Sequence, residues 1–281
     1  MTFEDAIEEA RRRARQMKVD PSLTIAEVYE AELLRRLQRR LRTALVWKGG
    51  AVLRLAGSGR FSRDLDATRR PGRSDPPAIV RALKAVSVGL AYLTNVVLKK
   101  QRQSITAVYR FAAPGMLQPL RISVEVSLRE KVLLSPTTIS SARMAHPSGI
   151  EPVVVARLDD PELLAEKVRA LVMRMAGRDI YDVYWLLQRG VQFDLELFLK
   201  KMLYYAKIGQ KLEPAATIEK ALRQLEKYDP GRAKAEIANL FPADQRNLDL
   251  AVVVEDVRRA LRSWHEQLTA RLQRPRPKKR K

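Results

Sequence analysis

Two aspartates one residue apart, Asp64 and Asp66, stand in a basic stretch that also holds Lys48, Arg54, Arg60, Arg63, Arg69 and Arg70. On a strand, side chains at i and i+2 point to one face. Two carboxylates that close repel each other unless a cation or water lies between them. Just upstream, Gly49-Gly50 follows a short apolar run, Ala44–Trp47, and precedes a short helix predicted over 51–56. Glycine lets backbone N–H groups approach a phosphate, and a helix start favours an anion. Downstream, Leu120–Ser127 alternates at period two, with Ile122, Val124 and Val126 on one face and Arg121, Ser123, Glu125 and Ser127 on the other. Glu125 would complete a three-carboxylate cluster across a sheet. Such a cluster holds one or two hard cations that clamp a triphosphate and activate an attacking hydroxyl. The same residues also fit a plainer reading, in which the D-x-D is a solvated strand edge and Glu125 a strand-surface residue.

The rest of the chain narrows the chemistry. Its 281 residues contain no cysteine, which excludes a disulfide framework and thiol-ligated zinc or iron–sulfur sites. Two histidines, His146 and His265, are too few for a histidine-built metal centre, which leaves oxygen-bound Mg²⁺ or Mn²⁺. Lys and Arg exceed Asp and Glu to give a formal charge of +21. That field attracts polyanions, nucleic acid being the usual one, although basic helix surfaces alone would give the same sign. The charged N-terminus lacks the apolar core of a signal peptide and no run is long enough to span a membrane, so the expected location is the cytoplasm.

Helices are predicted over 3–17 and 23–43, and strands over 44–47 and 64–68. Pro76-Pro77 starts a helix expected to reach about Lys99. Ser104–Ala112, Leu120–Ser127 and Val153–Val155 read as strands. After residue 158 the pattern turns purely helical. Asp160-Pro161 opens a helix expected to reach Ala176, with Gly177 as its stop and Asp179 as the next cap. Further helices are expected near 194–207, 214–227, 231–240 and 249–273. Residues 274–281, RPRPKKRK, read as a basic, disordered tail.

Strand, Gly-Gly turn, short helix, paired aspartates and a later carboxylate resemble the polymerase-β-like nucleotidyltransferase core. More narrowly, KGG-AVLRL followed by RFSRDLD, Lys48 to Asp66, resembles the first motif of the AbiEii/AbiGii toxin family, MenT toxins included, whose members read like KGGTxL…RFSEDLD. Residues 161–187, PELLAEKVRALVMRMAGRDIYDVYWLL, are similar to the family's later EK…R…RDxxD block. Arg63 stands where an acid is common, and Ala67 where a larger apolar residue is usual. The resemblance covers roughly residues 44–190.

The resemblance implies an α+β fold: a nucleotidyltransferase core with a small mixed sheet over 1–158, and an all-helical domain over 159–273 completing the active site. It implies Asp64 and Asp66 as Mg²⁺ ligands, with Glu125 as third ligand or general base. Lys48, Gly49, Gly50 and Ser62 would approach the phosphates of an NTP, Ser62 having a turn hydrogen bond as its alternative. Lys167 would contact phosphate, Arg174 phosphate or tRNA, and Asp182 would support the site. The implied activity is transfer of a nucleoside monophosphate from an NTP to RNA, at the tRNA 3′ end, by the toxin of a pair with an antitoxin protein. Transfer to a protein or small molecule, and an inactive RNA-binding module, are the alternatives.

Overall fold

In the computed structural model, residues 2–205 and 213–273 are described. The basic tail and the end of the helix expected over 194–207 lie outside them. The chain divides into two compact units, Met1–Asp159 with Ala238–Asn247, and Asp160–Ile237 with Leu248–Lys281.

The first unit carries helices α1 (Phe3–Met17), α2 (Pro21–Leu41), α3 (Gly49–Leu55), α4 (Pro76–Ala85) and the short α5 (Ala142–Ala145). Its strands are β1 (Leu45–Lys48), β2 (Asp64–Arg69), β3 (Leu93–Lys100), β4 (Ser104–Phe111), β5 (Leu120–Ser127), β6 (Thr137–Ser140) and β7 (Val154–Arg157). They form one mixed sheet in the order β3-β4-β5-β2-β1-β7-β6. β2 runs antiparallel to β1 and parallel to β5, so the two central strands carry the aspartates and Glu125. Alternation sets the faces: Leu65 and Ala67 of β2, with Ile122, Val124 and Val126 of β5, are buried in the core.

α2 is the spine of this core. Asp20 caps its start by accepting from the Ser22 N–H at 2.7 Å, with Pro21 in the first turn. Every residue from Ser22 to Leu34 is buried, Glu27, Glu30 and Glu32 included. A helix buried all round must carry its charges inward. The helix packs on α1, α4, α5 and β5.

Three sequence expectations need correction here. The helix from Pro76 ends at Ala85, not near Lys99. Gly89 and Tyr92 take left-handed backbone conformations, and Leu93–Lys100, with β-branched Thr94, Val96 and Val97, becomes an edge strand paired to β4. β6 joins β7 at the far edge, so the sheet has seven strands rather than five. The segment Ala238–Asn247, expected in the helical part, belongs to the first unit. There Leu240 accepts from the Phe61 N–H at 2.8 Å and packs on the cluster of Ala14, Val19, Leu23 and Phe61.

The second unit contains α6 (Asp160–Arg174), α7 (Gly177–Gln188), α8 (Leu195–Leu203), α9 (Pro214–Glu226), α10 (Pro230–Ile237) and α11 (Leu250–Gln273). α6 packs on α7, α8 and α9, and α11 on α7, α9 and α10. α6 stops at Arg174 because Met175 turns left-handed. Gly177 therefore begins α7 rather than ending α6. Lys201 is wholly buried between Glu162 and Glu166, at 2.6 and 2.7 Å. Burial alone would lower its pKa, but the two carboxylates hold it above the usual lysine value.

Candidate active site

β1 ends at Lys48, and the chain turns directly into α3. Gly49 has φ +77, a conformation natural to glycine. A Cβ there would lie 2.3 Å from Asp66 Oδ2, so the backbone and the carboxylate share space that no side chain can enter. Gly50 is constrained differently: its Cβ would meet Arg60 NH2 and Ser62 Oγ, both at 2.8 Å. The Gly-Gly pair thus lets the turn lie directly against the strand bearing the aspartates.

Register sets the acids. Asp66 is opposite Lys48 on β1 and Glu125 on β5, and Asp64 is opposite Ser123. Residues paired this way share a sheet face. Asp64 and Asp66 are half-buried, whereas Glu125 is exposed. Among the described residues, no group of three or more His, Asp or Glu side chains is gathered tightly enough to hold a metal. Glu125 therefore joins the aspartates by strand register and not by side-chain convergence. The donor chemistry still fits a hard divalent cation: two carboxylates on one face, beside a cradle that a Cβ would fill.

Lys48 is buried and forms an ion pair with the buried Glu130. Ser62 donates to the Asp64 carbonyl at 3.3 Å, the local turn bond that was the alternative to a phosphate contact. Arg63, alternating away from the aspartates, reaches Ser22 at 3.0 Å.

α2 contributes buried charges to the same unit, and one of them, Glu30, feels the charge of Asp64. Glu27 accepts from Arg54 Nε at 2.6 Å and pairs with Arg13 at 3.3 Å. Arg54 also donates to the carbonyls of Ser58 and Gly59 and stacks over Phe61, fixing the loop that leads to Ser62. Glu30 is fully buried, and neither carboxyl oxygen has a hydrogen-bond partner. Burial, then the charges of Glu27 and Asp64, push its pKa well above the usual carboxylate range. Sequence reading assigned no role to Glu27, Glu30, Arg54 or Glu130. The available signal was three acids, Glu27, Glu30 and Glu32, among the apolar residues of one helix.

In the second unit, Lys167 and Asp182, both buried, are joined at 2.8 Å. Their helices α6 and α7 pack together, which brings the lysine and the aspartate of the 161–187 block into one ion pair. Arg174 grips Asp179 through two bonds, at 2.5 and 2.6 Å, while half of its side chain stays exposed. Asp179 thus sits in the first turn of α7 as an arginine clamp, and Ala176 holds the cap position.

A profile of the nucleotidyl transferase AbiEii toxins, of type IV toxin–antitoxin systems, matches residues 32–271. No curated protein matches the chain. Among solved structures, MenT4, a nucleotidyltransferase toxin from Mycobacterium tuberculosis H37Rv, aligns with a TM-score of 0.63 at 18% identity. That alignment covers 94% of this chain and 93% of its own. A nucleotidyltransferase structure from H. pylori aligns with a TM-score of 0.54 at 18% identity, covering 87% of this chain and 96% of its own. Likeness at such identity is a likeness of fold. No helix among the described residues is long and apolar enough to cross a membrane.

Proposed function

Because the chain belongs to the AbiEii nucleotidyltransferase toxin family of type IV toxin–antitoxin systems, we propose that it transfers a nucleoside monophosphate from an NTP to RNA. The acceptor in this reading is the 3′ end of a tRNA, and an antitoxin protein is the partner that the family implies. The observation carrying the reading is the close fit of Gly49 against Asp66, which sets the Gly-Gly backbone at the start of α3 directly beside the strand that bears both aspartates.

The acceptor hydroxyl attacks the α-phosphorus in line. A bond forms from the acceptor oxygen to phosphorus, the bond to the bridging oxygen breaks, and pyrophosphate leaves. Mg²⁺ or Mn²⁺ held by Asp64 and Asp66 would supply charge neutralisation for the triphosphate and the leaving oxygen. Glu125, opposite Asp66 in strand register, is assigned in this reading as third ligand or as the base that takes the hydroxyl proton. Gly49 and Gly50 offer backbone donors, and Ser62 and the Lys48–Glu130 pair support the turn from which they project. Lys167 is assigned to a phosphate, with Asp182 holding its ammonium in place.

The test is to incubate the protein with each labelled NTP, Mg²⁺ and total RNA. Label should enter short RNA, and Asp64→Ala should abolish it while leaving the unfolding transition intact. Label on protein alone, or retained transfer by Asp64→Ala, would overturn the proposal.

A further inference from the structure

A cleft of about 630 Å³ opens in the second unit, and of the residues assigned from the sequence only Arg174, given to phosphate or tRNA, lines it. One wall is a row on α9. Lys220 and Arg223 on the helix and Lys227 at its C-cap follow at i, i+3 and i+7, which places them on one stripe. The stripe is exposed, while Ile218, Ala221 and Leu225 bury the other side of α9. Arg174 and Tyr228 also line the cleft, with the single acid Asp229.

The charges there are available to a ligand. Arg223 pairs only with exposed Glu219 on its own helix, an arrangement worth little in water. Lys220 and Lys227 form no ion pair among the described residues. The Asp229 carboxylate is engaged by the Gly231 N–H at 2.8 Å, so the negative group in the cleft is partly satisfied within the chain. The Tyr228 hydroxyl is anchored on Glu236 at 3.2 Å.

We propose that this cleft binds the phosphodiester backbone of the RNA acceptor. The inference rests on the RNA-acceptor reading above and adds to it a second, sequence-independent contact. From Lys220 to Lys227 the helix rises about 10 Å, comparable with the axial rise of about three nucleotides of one strand. Regularly spaced cations on a straight row match a chain of regularly spaced phosphates. The cleft contributes affinity and orientation and no base readout.

The experiment measures binding of fluorescently labelled, unfractionated tRNA to the full chain across a salt series, without NTP. Lys220→Ala/Lys227→Ala should weaken binding about tenfold and flatten the log–log salt slope by about 1.4–1.8, two phosphate contacts' worth. Lys220→Arg/Lys227→Arg should keep both. Absence of tRNA binding by the wild type, an unchanged slope in the alanine variant, or equal loss in the arginine variant would overturn the proposal. So would lost capture of an acidic antitoxin with tRNA affinity unchanged. Transfer of labelled nucleotide is measured in parallel. If wild type labels no RNA yet the slope difference stands, the acceptor reading falls and the cleft remains an RNA site.

Discussion

Glu30→Gln should change how the stability of the first unit depends on pH. Glu30 lies inside α2 with no solvent exposure and no partner for either oxygen, and its pKa is raised by burial and by the charges of Glu27 and Asp64. A carboxyl whose folded pKa lies above its unfolded value of 4.5 binds its proton more tightly when folded. Its contribution is therefore fully present below 4.5 and is lost as pH rises through the window up to the folded pKa. Within that window the loss approaches the one-proton linkage slope of about 1.4 kcal/mol per pH unit. The amide is nearly isosteric and cannot ionise, but it also buries polar atoms, at a cost of about 1–3 kcal/mol. The variant should thus match or fall below the wild type near pH 4.5 and gain on it steadily above. Denaturant unfolding of both proteins from pH 5 to 7 measures this, because other titrating groups cancel in the difference. Parallel stability curves would refute the reasoning and place an unseen partner on Glu30.

Gly49→Ala should cost about 1–2 kcal/mol in backbone strain at a left-handed position, and displacing Asp66 should lower nucleotide transfer about 100-fold, read by labelling and by thermal unfolding. Lys167→Met should lower kcat by about 100- to 1,000-fold and destabilise the second unit by about 3 kcal/mol, since it leaves the Asp182 carboxylate buried without its cation. Transfer at wild-type rate would remove Lys167 from the site. Lys201→Met should destabilise by about 3–5 kcal/mol by leaving two buried acids facing each other, and adding Glu162→Gln/Glu166→Gln should restore much of that in calorimetry.

The elements that position the aspartates were legible because their signals are local. Gly49-Gly50 ends an apolar strand, and β5 alternates so cleanly that Glu125 falls on the polar face without knowledge of its neighbour. The parallel pairing of β2 with β5 then brings it opposite Asp66. Leu93–Lys100 was illegible for a tertiary reason: it is an edge strand, half-exposed and lacking a clean period, and only its partner β4 makes it a strand. The same holds for Ala238–Asn247. Its helical pattern is sound, as a short 3₁₀ turn follows α10, but its return to the first unit depends on Leu240 meeting Phe61 and Ala14.

Charge was legible in amount and illegible in pairing. Burial obliges a charged group to find a counter-charge, yet the partners lie far apart in sequence, Lys48 with Glu130 and Arg54 with Glu27. Lys167 and Asp182, fifteen residues apart, meet only because α6 packs on α7. Each such pair removes one acid with each base from the surface. Internal pairing therefore leaves the excess of +21 undiminished and carries it on the residues that remain outside, among them Lys220, Arg223 and Lys227. A polyanion meets that excess, and not the larger total of arginines and lysines, so the proposed RNA binding should have a salt dependence that reports on the exposed α9 row and is insensitive to Arg54→Ala or Lys201→Ala in folded protein.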